Sequence, residues 1–134
     1  MVICLRINFE SLKPIYVQVA DVIEDDIILG RLQEGEPVYS QLILSRELNI
    51  NPATAAKGIN LLVQKGVLEK QRGLSMTVAF GAKQRLLDEK RETKFSEAIH
   101  ALVDQAKKIG LAEDRVITQI KALFARDERS GQHE

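Results

Sequence analysis

The chain has 134 residues, 45% of them apolar and 28% charged, with 19 basic and 19 acidic side chains. That length suits one compact domain plus an appendage, and the composition is that of an ordinary globular protein, not a disordered or fibrous one. The balanced charge says nothing about partners, the single cysteine, Cys4, excludes an intrachain disulfide framework and a cysteine-rich metal site, and no apolar run approaches a membrane span.

The start, "MVICLRINFE", is too short and too mixed for a signal peptide, so a cytoplasmic protein is expected. Residues 14–29 read as a helix: Pro14 suits its first position, Ile15, Val19, Ile23 and Ile27 recur on one stripe, and Gly30 stops it. "RLQEGEPV" follows as a loop punctuated by Gly35 and Pro37. Ser40 is placed to cap a short helix over 41–48 that buries Leu44 and Leu48. Asn49-Ile50 makes a tight turn, and Asn51-Pro52 opens a helix over 52–65, capped from Asn51 and ended by Gly66. On that helix Ala55, Ile59 and Leu62 share one face. Ala53, Lys57, Asn60 and Gln64 share the opposite one, with Thr54 on its flank.

Val67–Gln71 and Met76–Phe80 are strand-like, with Met76, Val78 and Phe80 alternating, and "RGLS" is the turn between them. From Ala82 to Ile109 there is no Pro or Gly. The first part of this stretch is mostly charged, which predicts a helix leaving the first domain through solvent. Its later part carries a stripe at Phe95, Ile99, Leu102, Ala106 and Ile109. Gly110 breaks it, a last helix over 112–125 carries Val116, Ile117, Ile120, Leu123 and Phe124, and residues 127–134 read as a flexible tail.

Charge is unevenly placed. Residues 1–38 carry net −4, residues 39–78 net +3, and residues 79–134 net +1. The one basic segment contains the short helix, the Asn51 helix and the hairpin. A local excess of this size is as often a solvated face as a binding surface.

Helix, short helix, tight turn, helix, hairpin is the order of a helix-turn-helix with a wing. In that arrangement the second helix of the pair enters the major groove N-terminus first. Small residues at 53 to 56 let such a helix approach base edges, the unpaired N–H groups at its start suit a phosphate, and Asn51, Thr54 and Lys57 supply polar groups and charge. At the hairpin tip Gly73 permits close approach and Arg72 can enter a minor groove.

"KPIYVQVADVIEDDIILGRLQEGEPV" and "SRELNINPATAAKGINLLVQKGVLEKQRGLSMTV" resemble the N-terminal winged helix of GntR-family bacterial regulators from Lys13 to Val78. The landmarks are Pro14-Ile15-Tyr16-x-Gln18, Gly30-x-Leu32-x-x-Gly35, Glu47-Leu48, Asn51-Pro52-x-Thr54, Leu62-x-x-x-Gly66 and Arg72-Gly73-Leu74. The NPxT start and the short remainder resemble the YtrA subfamily, since other subfamilies carry a large second domain. The resemblance implies a mainly α fold with a small β-hairpin wing: a winged helix-turn-helix over 1–80, a helical dimerisation appendage over 81–126, and the tail. It further implies a homodimer that binds a palindromic DNA operator and regulates transcription as a repressor or an activator, a repressor being the expectation here; the sign of regulation is not legible in the sequence. The implied DNA-contacting set is Ser40, Arg46, Asn51, Ala53, Thr54, Lys57, Asn60, Arg72 and Gly73. Phe95, Ile99, Leu102, Ala106, Ile109, Val116, Ile120, Leu123 and Phe124 would hold the dimer.

The chain departs from the family where Leu-Pro-Ser-x-Arg becomes Val38-Tyr39-Ser40-Gln41-Leu42, and where Gly-Leu-Gly-Thr at the wing becomes Gly73-Leu74-Ser75-Met76. The family's arginine commonly contacts DNA and Leu42 cannot, so the usual operator is not implied; Arg46 lies one turn later.

Each sharp reading has a bland counterpart. Small residues on the Asn51 helix also suit packing against another helix, and the apolar stripes of the appendage read as packing surfaces before ligand boxes. His100, His133 and Cys4 lack partners at metal-ligand spacing, so no metal or cofactor is expected. No GxxxxGK, GxSxG or HExxH occurs, and no enzyme is expected. The competing function is a winged helix that serves only as a protein-interaction module; the basic segment favours DNA, and the missing arginine favours the module. Neither an effector nor the operator sequence is legible.

Overall fold

A computed structural model of the chain describes residues 7–71, 73 and 75–131, the Ser130 side chain excepted. Cys4, Arg72 and His133 therefore lie outside the described residues. Helix α1 spans Ile15–Ile28. Pro14 stands one position earlier than the sequence suggested, as N-cap with ψ 145°, its carbonyl accepting from the Val17 and Gln18 N–H groups. Helix α2 is Gln41–Leu48 and α3 is Pro52–Gln64. The Ser40 hydroxyl accepts from the Ile43 N–H at 3.2 Å, and Asn51 Oδ1 from the Ala53 N–H at 2.8 Å. The turn between α2 and α3 rests on Asn49 at φ 54°, a left-handed conformation that asparagine tolerates better than most residues.

Strands β1 (Leu68–Lys70) and β2 (Met76–Val78) pair antiparallel, with Leu68 opposite Val78 and Lys70 opposite Met76. Along the other edge of β2 runs the loop before α2, through bonds from the Gly35 N–H to the Val78 carbonyl and from the Val38 N–H to the Met76 carbonyl. The strands are shorter than the alternation implied. Ala79 still donates to the Val67 carbonyl, but the chain then turns into α4, and Phe80 stands exposed beside Gly35.

The chain divides into two compact units, the first ending at Glu89 and the second beginning at Lys90. In the first, Val19, Ile23 and Ile27 of α1, Leu44 of α2, Ala55 and Leu62 of α3, Leu68 and Val78 form one core. Helix α4 (Ala82–Glu89) belongs to it, against the expectation of a solvated exit: Ala82 and Leu86, four apart on one face, are fully buried in that core. Arg85 of α4 donates to the Gly66 carbonyl at 2.8 Å, and Lys65 reaches Glu24 of α1 at 2.7 Å and Glu89 at 3.5 Å.

The second unit opens with a π-helical turn, Lys90–Lys94, where an unbroken α-helix was expected, then α5 (Phe95–Lys108) and α6 (Glu113–Gly131). Gly110, at φ 69°, makes the connection, and α6 runs on through residues 127–131. Between the two helices Ile99, Leu102, Val103, Ala106, Val116, Ile117 and Ile120 line an apolar groove of about 370 Å³. No described helix is long and apolar enough to cross a membrane.

Candidate nucleic-acid interface

Helix α3 has two faces with different duties. Inward, Ala55, Gly58, Ile59 and Leu62 are buried. Gly58 is the tightest point: a Cβ built there would lie 2.8 Å from the Tyr16 carbonyl oxygen and 2.8 Å from Val19 Cβ. The small residues of this helix thus serve packing on its inner side. Outward, Ala53, Lys57, Asn60 and Gln64 are exposed, as are Asn51 and Pro52 at the start, and Thr54 is half buried on the flank. The N-terminal turn of α3 has no bulky side chain ahead of it, but the unpaired N–H groups expected there are taken up: Asn51 Oδ1 accepts from Ala53, the Asn51 carbonyl from Thr54 and Ala55, and Pro52 has no N–H to offer.

A cleft of about 340 Å³ runs between α3 and the hairpin. Ser40, Ala56, Asn60, Lys70, Ser75 and Met76 line it, over a floor that includes Val38, Tyr39 and Ile59. It brings the sequence-predicted Ser40 and Asn60 together with Lys70 and Ser75, which sequence reasoning did not single out. Their signal was the hairpin register: Lys70 stands opposite Met76, next to Ser75, on strands read only as a wing. Arg46 lies on the last turn of α2, exposed, and does not line this cleft. Gly73 is exposed at the hairpin tip with φ 77°, a conformation that suits glycine; its neighbour Arg72 falls outside the described residues.

Two groups behind this surface are held by charge. Tyr39 is buried, and its hydroxyl donates to Asp26 Oδ2 at 3.0 Å. Burial first, then the hydrogen bond and negative charge of Asp26, push the phenol up to about 12. Burial lowers the Lys65 ammonium, but the bond to Glu24, its charge and that of Glu89 together outweigh burial and raise it. Lys65 thus stays protonated and ion-paired, and the other described cations of residues 39–78, Arg46, Lys57 and Lys70, are exposed.

The expected dimer-forming residues fall as follows. Phe95, Ile109, Leu123 and Phe124 are largely exposed, Ile99 and Leu102 about two-fifths exposed, Val116 and Ile120 half buried, and Ala106 buried. Val103 and Ile117 join them on the groove, and the three- and four-residue spacing of both was visible in the sequence. His100 spends Nδ1 on the Ser96 carbonyl at 2.8 Å. Among the described residues no group of three or more His, Cys, Asp or Glu side chains could hold a metal ion.

No protein-family model matches the chain. Among curated proteins it is 28% identical to YhcF, an HTH-type transcriptional regulator of Bacillus subtilis, over 114 residues that cover 85% of this chain and 93% of that one. It is 31% identical over 61 residues to MngR, the mannosyl-D-glycerate transport/metabolism system repressor of Escherichia coli; that match covers 46% of this chain and 25% of the repressor. Among solved structures, a putative GntR-family regulator from Bacteroides thetaiotaomicron superposes with TM-score 0.66 at 29% identity, covering 84% of this chain and 98% of that one. All three carry names of transcriptional regulators. In sequence and in fold, the chain resembles the GntR-family transcriptional regulators over most of its length, with the winged helix-turn-helix that the motifs predicted.

Proposed function

We propose that the chain is a DNA-binding transcriptional repressor of the short, YtrA-like type that grips a palindromic operator as a homodimer. The observation that carries this is the division of α3: an inner face locked into the core and an outer face of small and polar residues, with a cleft beside it that carries Lys70. In this reading α3 enters the major groove through Asn51, Ala53, Thr54, Lys57 and Asn60. Ser40 and Arg46 hold phosphates, and Arg72 and Gly73 meet the minor groove. The near-full coverage of YhcF and of the Bacteroides protein supports the short type, and the name of MngR supports repression. In this reading the second unit supplies the two-fold: Phe95, Ile109, Leu123 and Phe124 stand exposed on it, and a second copy would cover them.

The test is a salt series of binding to a duplex selected from a random-sequence library on the full-length protein. Phosphate contacts release counterions, so affinity should fall steeply with salt. Lys57→Ala and Arg72→Ala should each weaken binding, and Lys57→Ala should change stability by less than about 0.5 kcal/mol because Lys57 is exposed. Ala53→Leu should abolish specific binding while preserving the helix, since Leu is a good helix former. Salt-independent binding, or normal affinity in all three variants, would instead favour a protein-interaction module. The exposed Leu42 and Ile43 on α2 are the features that favour that second reading.

A further inference from the structure

Tyr16 stands half buried in the first turn of α1, and Lys57 is exposed on the outward side of α3. The Lys57 ammonium lies 4.2 Å from the centroid of the Tyr16 ring. A cation at that distance over an aromatic face is drawn to the negative potential of the ring. The contact is set by the backbone. Gly58, the next residue along α3, faces the Tyr16 carbonyl oxygen and Val19, and leaves no room for a Cβ. Helix α3 therefore comes down onto the first turns of α1 as closely as two backbones allow, and carries Lys57 across Tyr16.

A lysine side chain has many rotamers and loses that freedom when it holds a phosphate; a side chain already laid down on a ring has lost part of it beforehand. We propose that Tyr16 is a positioning residue for DNA binding, its ring holding the Lys57 ammonium at the edge of α3 for a phosphate. The inference rests on the reading of α3 as the DNA-facing helix. Tyr16 touches no DNA itself and acts through Lys57. Only the ring face is used, so the phenol oxygen is dispensable.

Four full-length proteins test this against the wild type: Lys57→Ala, Tyr16→Leu, Tyr16→Phe and the Lys57→Ala/Tyr16→Leu double variant. The probe is a duplex selected from a random-sequence library on the wild type. Lys57→Ala should weaken binding and reduce the slope of log affinity against log salt by about 0.9 per subunit. Tyr16→Leu should weaken it by about 2- to 5-fold, a part of the ordering cost of one immobilised side chain that the ring meets in advance. Tyr16→Phe should bind as the wild type, and in the Lys57→Ala background Tyr16→Leu should cost nothing further. The ring-current shift of the Lys57 Hε protons should be present in the wild type and in Tyr16→Phe and absent in Tyr16→Leu, a readout that a purely structural role would not move. Wild-type affinity in Tyr16→Leu, or an equal loss in the presence and absence of Lys57, would overturn the positioning role and leave the DNA-facing reading intact. Wild-type affinity in Lys57→Ala would overturn the positioning role as well, and would overturn the DNA-facing reading only if Ala53→Leu and Arg72→Ala also bound as the wild type.

Discussion

The two units treat their apolar side chains in opposite ways. In the first, Val19, Ile23, Ile27, Leu44 and Leu62 are at most 1% exposed. In the second, Ala106 is the one apolar side chain buried among the described residues, while Phe95, Ile109, Leu123 and Phe124 are 60–71% exposed. Both units are built from amphipathic helices of similar length, so helix formation does not explain the difference. The first unit closes on itself because α1, α3 and α4 meet from different directions and the hairpin covers what they leave. The second has two helices, and two helices cover only one side of each stripe. One unit therefore closes a core of its own, and the other leaves the outer side of its stripes open.

That contrast can be broken by substitution. Leu62→Ala removes a fully buried side chain from the closed core and should lower unfolding free energy by about 2–5 kcal/mol in urea titration, whatever the protein concentration. Leu102→Glu with Ile120→Glu should do the reverse: give monomers by sedimentation, leave the first unit folded by circular dichroism, and cost roughly 100-fold in operator affinity as the two half-sites lose their linkage. A double variant that stays dimeric, or a wild type monomeric at micromolar concentration, would overturn the two-fold.

The contrast is sharpened by alkali. The Tyr39 phenol is raised from 10.0 to about 12 in the folded chain. A raised group gives stability that is whole below pH 10 and lost as pH climbs towards 12, here about 2–3 kcal/mol at most. The raised Lys65 ammonium acts in the same direction. Alkaline loss of stability should thus belong to the first unit, and Tyr39→Phe should show a shallower decline over pH 10–12 in thermal melts. Smallest of all, Asn51→Ala removes the α3 cap and should cost about 1 kcal/mol while leaving sedimentation unchanged.

The sequence made the first unit legible wherever a local rule suffices. Ser40 and Asn51 are capping residues at helix starts, Gly66 ends α3 at φ 76°, and the inward stripe of α3 follows from spacing. It was less legible wherever distant segments decide. Leu86 sits in a charged stretch and is buried because α4 folds back onto α1, a contact no local pattern announces. Phe80 continues the alternation of β2 yet is exposed, because pairing ends at Ala79 and the chain turns away. At the candidate site the outward residues of α3 were readable from helical phase. Lys70, Ser75 and the Tyr16 ring under Lys57 were not, since each depends on how α3 meets another element.

The close seat at Gly58 has a consequence for how this chain can change. With no room for even one methyl group between α3 and the Tyr16 carbonyl, the depth and rotation of the helix are fixed by its inner face alone. The outer positions 53, 60 and 64 are exposed and lie away from that seat, while Lys57 reaches back to the Tyr16 ring. If the proposed reading of α3 holds, what the helix meets and how it packs lie on opposite sides of the same thirteen residues. Substitutions at 53, 60 and 64 would then change recognition with little change in the inner packing.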